Sequence, residues 1–305
     1  MDASVDFWEI PSGKPMVMIA GWQQWADAGE ISSSLPQYLV ELTAAIKIGS
    51  IKGGDFYLFQ IPGTHYLLRP EVKLKEGHRE SMSSRANDFY YADLGDRGLV
   101  IFTGEEPHMH EERYASVFFD AVEALGVQRV IGLGGVFGSM PFDRDREISC
   151  VYSMPNIKAE LDHYALRYSN YEGGTTIGSY LAHRAEMRAI EMAVIYAFVP
   201  AYEFSAMSVT VQSLRIDKDW KAWYDIMKRL DHMLELHLDL DDLHSKADRL
   251  VSEWETRVEQ LDQEHPSLHI QETMDAINKE FVERPFIPLD EAWDELGDLL
   301  DEMDD

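Results

Sequence analysis

Apolar and polar positions follow two different rhythms along this chain, and the change falls near residue 215. Up to about Tyr202, short β-branched runs alternate with helix-like segments, the pattern of βα units feeding a largely parallel sheet. The runs "PMVMIAG" (15–21), "GLVIFTG" (98–104), "VQRVIGLGG" (127–135) and "IEMAVIYAFVP" (190–200) are nearly continuously apolar, as strands covered on both faces are. The first three end in glycine, so the loops after them are expected to form a cleft. "DFYLFQI" (55–61), "HYLLR" (65–69) and "EVKLK" (71–75) are broken by Pro62-Gly63 and Pro70 and read as antiparallel or edge strands. Helical segments fall between, over Ile31 to Thr43, Glu111 to Leu125 and Thr176 to Ala189.

From Asp219 onward the period is helical throughout. Trp223, Ile226, Leu230, Met233 and Leu234 place an apolar face on a helix from about Trp220 to His237. Leu243, Ala247, Leu250, Trp254, Val258 and Leu261 trace a second stripe that stops before Pro266. Between them, Asp239-Leu240-Asp241-Asp242 is expected to break the helix. A third helix is expected over Leu268 to Glu283, followed by a stiff hinge at "RPFIP" (284–288). Leu289, Ala292, Trp293, Leu296, Leu299, Leu300 and Met303 keep helical spacing among nine acidic side chains in the last seventeen residues. The expected organisation is therefore an α/β domain (1–212), a helical hairpin with a third helix (213–284) and an acidic amphipathic tail helix (285–305).

Charge narrows the functions open to such a fold. With 27 basic and 55 acidic residues the formal charge is -28, which repels phosphate backbones and anionic membrane surfaces. The longest apolar stretch, Ala189 to Tyr202, carries Glu191 and breaks at Pro200, short of the roughly 20 residues a membrane span needs. Cys150 is the one cysteine, and the start Met1-Asp2-Ala3-Ser4-Val5-Asp6 lacks the basic and apolar regions of a signal peptide. A reducing cytoplasm is the expected location.

Several motifs occur together in order: "GWQQWADAG" (21–29), "GEEP" (104–107), "VIGLGG" (130–135), "YEGG" (171–174) and "VPAY" (199–202). The set resembles the proteasome assembly chaperone 2 family over about residues 15–262, including the helical hairpin after the α/β domain. That resemblance implies a phosphorylase/hydrolase-like α/β fold with a mostly parallel sheet flanked by helices and followed by a helical C-terminal region. It also implies a homo-oligomer, often a trimer, and a role in binding other proteins, since eukaryotic and archaeal relatives help assemble proteasomes. Two positions depart from the family. The loop reads Tyr171-Glu172-Gly173-Gly174-Thr175-Thr176, without the usual proline and last glycine. The chain ends Met303-Asp304-Asp305, where proteasome-binding relatives carry a hydrophobic residue, a tyrosine and one more.

Candidate chemistry centres on "GEEPHMHEER" (104–113), just after a strand end, where ligands of α/β sheets bind. His108 and His110 do not make the two-imidazole helical spacing of a zinc site, and Glu111 and Glu112 suit a helix N-terminus. No metal or cofactor is expected. Glu106 has two readings: an acid/base group with a carboxyl pKa raised by burial against Pro107 and a Gly134-Gly135 turn, or a ligand of backbone amides in the facing loop. "GLGGVFG" (132–138) matches neither the dinucleotide fingerprint nor the Walker A loop, so its glycines are expected to serve turns with positive φ and close backbone approach. For Trp22, Trp25 and Asp27 the readings are a ligand platform, a subunit contact or a helix cap by Asp27. Ser139 lacks the context of a nucleophile elbow. The candidate cleft thus comprises Trp22, Asp27, Gly104, Glu105, Glu106, His108, Gly134, Gly135, Tyr171, Glu172 and Gly173, with Trp293, Leu296 and Leu300 as a docking face on the tail. The expected function is protein binding, with a hydrolase or phosphorylase acting on a nucleoside-like ligand as the alternative.

Overall fold

The four apolar runs lie side by side at the centre of a ten-stranded sheet. The structure, a computed structural model, describes residues 4–23, 25–52, 55–59, 70–82, 85, 87–203 and 214–288. In chain order, β1 (Ser4–Phe7), β2 (Met16–Gln23), α1 (Ser34–Leu42) and β3 (Ile46–Lys52) precede a hairpin of β4 (Val72–Lys75) and β5 (His78–Met82). Then come β6 (Asp88–Asp93), β7 (Gly98–Glu105), α2 (Glu111–Ala124), β8 (Val127–Gly138) and β9 (Ile148–Tyr152). The short α3 (Lys158–Leu161), β10 (Arg167–Tyr168), α4 (Ile177–Glu186), β11 (Glu191–Tyr202) and β12 (Leu214–Arg215) follow, and α5 (Trp220–Leu234), α6 (Asp241–Glu264) and α7 (Ile270–Glu280) close the described chain.

The sheet order is β1-β3-β6-β7-β2-β8-β11-β9-β10, with β12 alongside β11. The central β7, β2, β8 and β11 are parallel, Ile19 standing opposite Ile101 on one side and Ile131 on the other. The outer neighbours β6 and β9 run antiparallel to β7 and β11. Side chains alternate across a strand, so β2 serves two cores at once. Val17 and Ile19 face α1 and the layer of α5, α6 and α7, whereas Met18 and Ala20 face α2 and α4. That double burial explains why no polar alternation marks these runs.

α5 is the hub of the C-terminal layer. Its Trp223, Ile226, Leu230 and Met233 are buried in the same apolar cluster as Leu243, Leu250 and Trp254 of α6. Each fully buried side chain of this kind stabilises by about 1.5–3 kcal/mol. Asp219 caps α5, accepting from Ala222 N at 3.0 Å. The same carboxylate receives Arg146 Nε at 2.8 Å and Nη2 at 3.2 Å, both side chains fully buried. A buried pair of this kind holds the α5 start to the loop after β8, because either partner alone would be an uncompensated charge.

The helical period is met from Trp220 onward, with the break before Asp241 and the stop at Glu264 before Pro266. His237 departs from its expected helical place: it lies in the connector, with φ +55. The segment "DFYLFQI" departs too. Its described part, Asp55 to Phe59, forms no strand, because its backbone is taken by the loop after β7, Phe56 O accepting from His108 N at 2.9 Å. "EVKLK" does form an antiparallel pair, β4 with β5, while "HYLLR" and the tail with Trp293, Leu296 and Leu300 lie outside the described residues. No helix among the described residues is long and apolar enough to cross a membrane.

Candidate functional site

The C-terminal ends of β2, β7 and β8 bring the sequence motifs together, but they use most of them to hold loops. Asp27 Oδ1 accepts from Ser32 N at 3.0 Å, Ser33 N at 2.9 Å and Ser32 Oγ at 2.9 Å. It thereby braces the turn leading into α1 without being a helix cap: the α1 N-cap is Ser33, and Asp27 makes no side-chain cap bond to the short 3-10 turn Ala28–Glu30 that it precedes. Gly135 N donates to Ala26 O at 2.8 Å, so the loop after β2 lies flat on β8. A β-carbon at Gly135 would collide with Ala28 O, and one at Gly134 with the Tyr196 ring. These glycines serve close approach, as expected, but neither has a positive φ and neither makes a turn, since β8 runs straight on to Gly138.

Trp22 points into the core, only 3% exposed, against Phe102 and Phe118. Its Nε1 donates to Tyr114 Oη at 2.9 Å, which donates to Asn87 Oδ1 at 2.8 Å. Asn87 Nδ2 donates in turn to Tyr57 Oη at 2.6 Å, and Tyr57 Oη to Glu105 O at 2.8 Å. Burial pushes the Tyr57 hydroxyl up to about 12, so the phenol stays protonated and the chain intact.

The "GEEPHMHEER" segment is committed in the same way. The Glu105 carboxylate pairs with Arg85. Glu106 Oε1 accepts from Ile177 N, the first amide of α4, at 3.0 Å. Its pKa is raised by burial, with the amides of Ile177 and Trp25 pulling the other way. The amide-binding reading describes it, with the α4 start in place of the Gly134-Gly135 segment as its partner. His108 Nδ1 accepts from Leu58 N at 3.1 Å, which requires the neutral ring, and burial lowers its pKa accordingly. His110 stands in the left-handed region at the α2 N-cap, with Glu111 and Glu112 in the first turn where they offset the helix dipole. Among the described residues no group of three or more His, Cys, Asp or Glu side chains is arranged to hold a metal ion.

Two of the open clefts around this scaffold take up candidate residues. A polar one of about 510 Å³ is lined by Asp27, Gly104 and Glu105, with Gln23 and Ser33. A more apolar one of about 560 Å³ lies beyond β8 and β11, lined by Tyr171, Gly173 and Trp25 with Phe137, Tyr196 and Phe198. Glu172 is exposed beside it. The candidate residues therefore divide between two clefts and the interior. Phe137, Phe198, Thr176 and Ser179 also line the second cleft, and none of them is among the candidate residues. For Phe137 a signal was present: the β8 run continues past Gly134-Gly135 to an aromatic residue.

A sequence profile described as the PAC2 family matches residues 21–261. Among solved structures, a PAC2 family protein from Streptomyces avermitilis is similar at a TM-score of 0.68 and 24% identity, covering 85% of this chain and 99% of that one. A proteasome-assembly chaperone homologue from Mycobacterium tuberculosis is similar at 0.67 and 22%, covering 79% and 94%. An archaeal proteasome activator from Pyrococcus furiosus is similar at 0.60 and 16%, covering 85% and 99%. No curated protein matches the chain.

Proposed function

The chain belongs to the PAC2 family, and from that membership we propose that it is a non-enzymatic protein-binding protein that acts like an assembly chaperone. The observation that carries this reading is the commitment of the "GEEP" carboxylates: Glu105 to Arg85 and Glu106 to the amide of Ile177. A general acid or base must be able to reach a proton on a substrate. Here both groups instead hold the loops around them.

Self-assembly into a trimer in the cytoplasm is part of the proposal. The exposed apolar side chains Val72, Leu74 and Met82 of the β4–β5 hairpin support it, since neighbouring exposed apolar groups mark interaction surfaces. The tail face of Trp293, Leu296 and Leu300 is proposed as a second docking element, for its own oligomer or for a partner with a basic rim.

One observation favours the enzymatic alternative, the raised pKa of Glu106. A thermal-shift comparison of wild type and Glu106→Gln with nucleosides and inorganic phosphate separates the two readings, because a ligand stabilises only a protein with a site for it. We expect neither compound to shift either protein. Stabilisation of wild type alone would overturn the non-enzymatic reading.

A further inference from the structure

The cleft beyond β8 and β11 is lined by aromatic side chains from several elements. Trp25, Phe137 and Tyr171, 73%, 46% and 71% exposed, stand around it, with Tyr196 and Phe198 deeper. The faces of aromatic rings carry the negative end of a quadrupole. In the floor, Tyr196 Oη lies 2.5 Å from Thr176 Oγ1 and 2.9 Å from Ser179 Oγ, and Thr176 Oγ1 donates to Ser179 Oγ at 3.3 Å. Three hydroxyls in mutual contact use their protons on one another, which leaves lone pairs for a ligand.

The α4 N-terminus opens onto the same floor, and a helix start is ordinarily a site for anions. This one is already filled. Ile177 N donates to Glu106 Oε1 at 3.0 Å, and Ser179 N to Thr176 Oγ1 at 3.1 Å. An incoming phosphate or carboxylate would lose both donors and meet the Glu106 charge. None of the described residues lining the cleft carries a charged side chain. Outside the lining, the Arg215 guanidinium lies 5.4 Å over Phe137 and is paired with Asp217 at 3.1 Å, so the exposed rings left for a ligand are those of Trp25 and Tyr171.

We infer that this cleft binds a small organic ammonium ion, a quaternary or alkylated amine on an apolar body. Such a cation spreads its charge over methyl groups that pack on aromatic faces, and it needs no hydrogen-bond acceptor in a fixed direction. The volume of about 560 Å³ suits a molecule of that size. The inference rests on this cleft alone, does not depend on the protein-binding reading and requires no chemical step.

Isothermal titration of the full chain with choline chloride, at constant ionic strength, tests it. Dimethylbutanol, the uncharged carbon isostere of choline, and inorganic phosphate serve as comparisons. We expect saturable binding of choline, at least about tenfold weaker binding of the isostere, and no displacement by phosphate. Trp25→Leu and Tyr171→Leu should each weaken choline about threefold to thirtyfold. Both side chains are exposed, so an unchanged melting temperature keeps folding out of the comparison. Absence of saturable choline binding, equal affinity for the isostere, displacement by phosphate, or wild-type affinity in both variants would each overturn the proposal.

Discussion

At the scale of single residues, steric room rather than residue type separates glycines that look alike in the sequence. Gly135 has the carbonyl of Ala28 where a β-carbon would go, whereas Gly174 has nothing within 4 Å of that position. Gly135→Ala should therefore cost about 3 kcal/mol or more, and Gly174→Ala should stay within about 0.5 kcal/mol, in urea unfolding. His108 makes a pH-dependent contact. Its ring can accept from Leu58 N only when neutral, and its folded pKa lies below the ordinary value of 6.5. A depressed histidine contributes stability that is present above the unfolded pKa and lost as pH falls through the folded one. Hydrogen exchange at the Leu58 amide, corrected for intrinsic rates, should accelerate between pH 7 and pH 5 in wild type. The same amide in His108→Phe should show no such step.

Among the elements, α5 joins the sheet to the other C-terminal helices. Trp223 is 1% exposed, packs between the sheet and α6, and donates from Nε1 to Gly29 O at 2.9 Å. Trp223→Ala leaves a large cavity and removes one of the two donors to Gly29 O, the Asp219 amide at 3.1 Å remaining, so a loss of about 3–5 kcal/mol is expected in the same unfolding assay. Phe286, past the end of α7, is buried against Tyr164 and His232 with the Arg229 guanidinium 5.4 Å over its ring. The "RPFIP" hinge thus anchors the chain on α5 before the tail begins.

For the whole molecule, the proposed trimer is tested by mass. We expect light scattering of the full chain to give the mass of three chains. Deletion of residues 289–305 should lower the melting temperature of that assembly or change what the protein captures. An assembly, stability and pull-down profile unchanged by the deletion would leave the proposed tail docking without an effect to explain. A monomer at micromolar concentration would remove the trimer. The charge of -28 acts at this scale too: self-repulsion is screened by salt, so assembly should strengthen between low and moderate ionic strength.

The sequence by itself determined the central strands β2, β7, β8 and β11, the helices α5 and α6, and the family. Each of those features is a local signal: a continuous apolar run, a stripe at helical spacing, or an ordered set of short motifs. Strands such as β3, "IKIGSIK", and β6, "DFYYAD", were not legible, because outer strands mix polar and apolar residues and owe their pairing to neighbours far along the chain. The candidate site was legible as a set of residues and not as an arrangement. Glu106 gives no sign in the sequence that its carboxylate meets Ile177, 71 positions away. Trp22 and Trp25 are three residues apart, yet one is 3% and the other 73% exposed. Which side of a loop faces a core, and which amide a carboxylate finds, depends on elements that meet only when the sheet closes, and that is where tertiary structure decided the site.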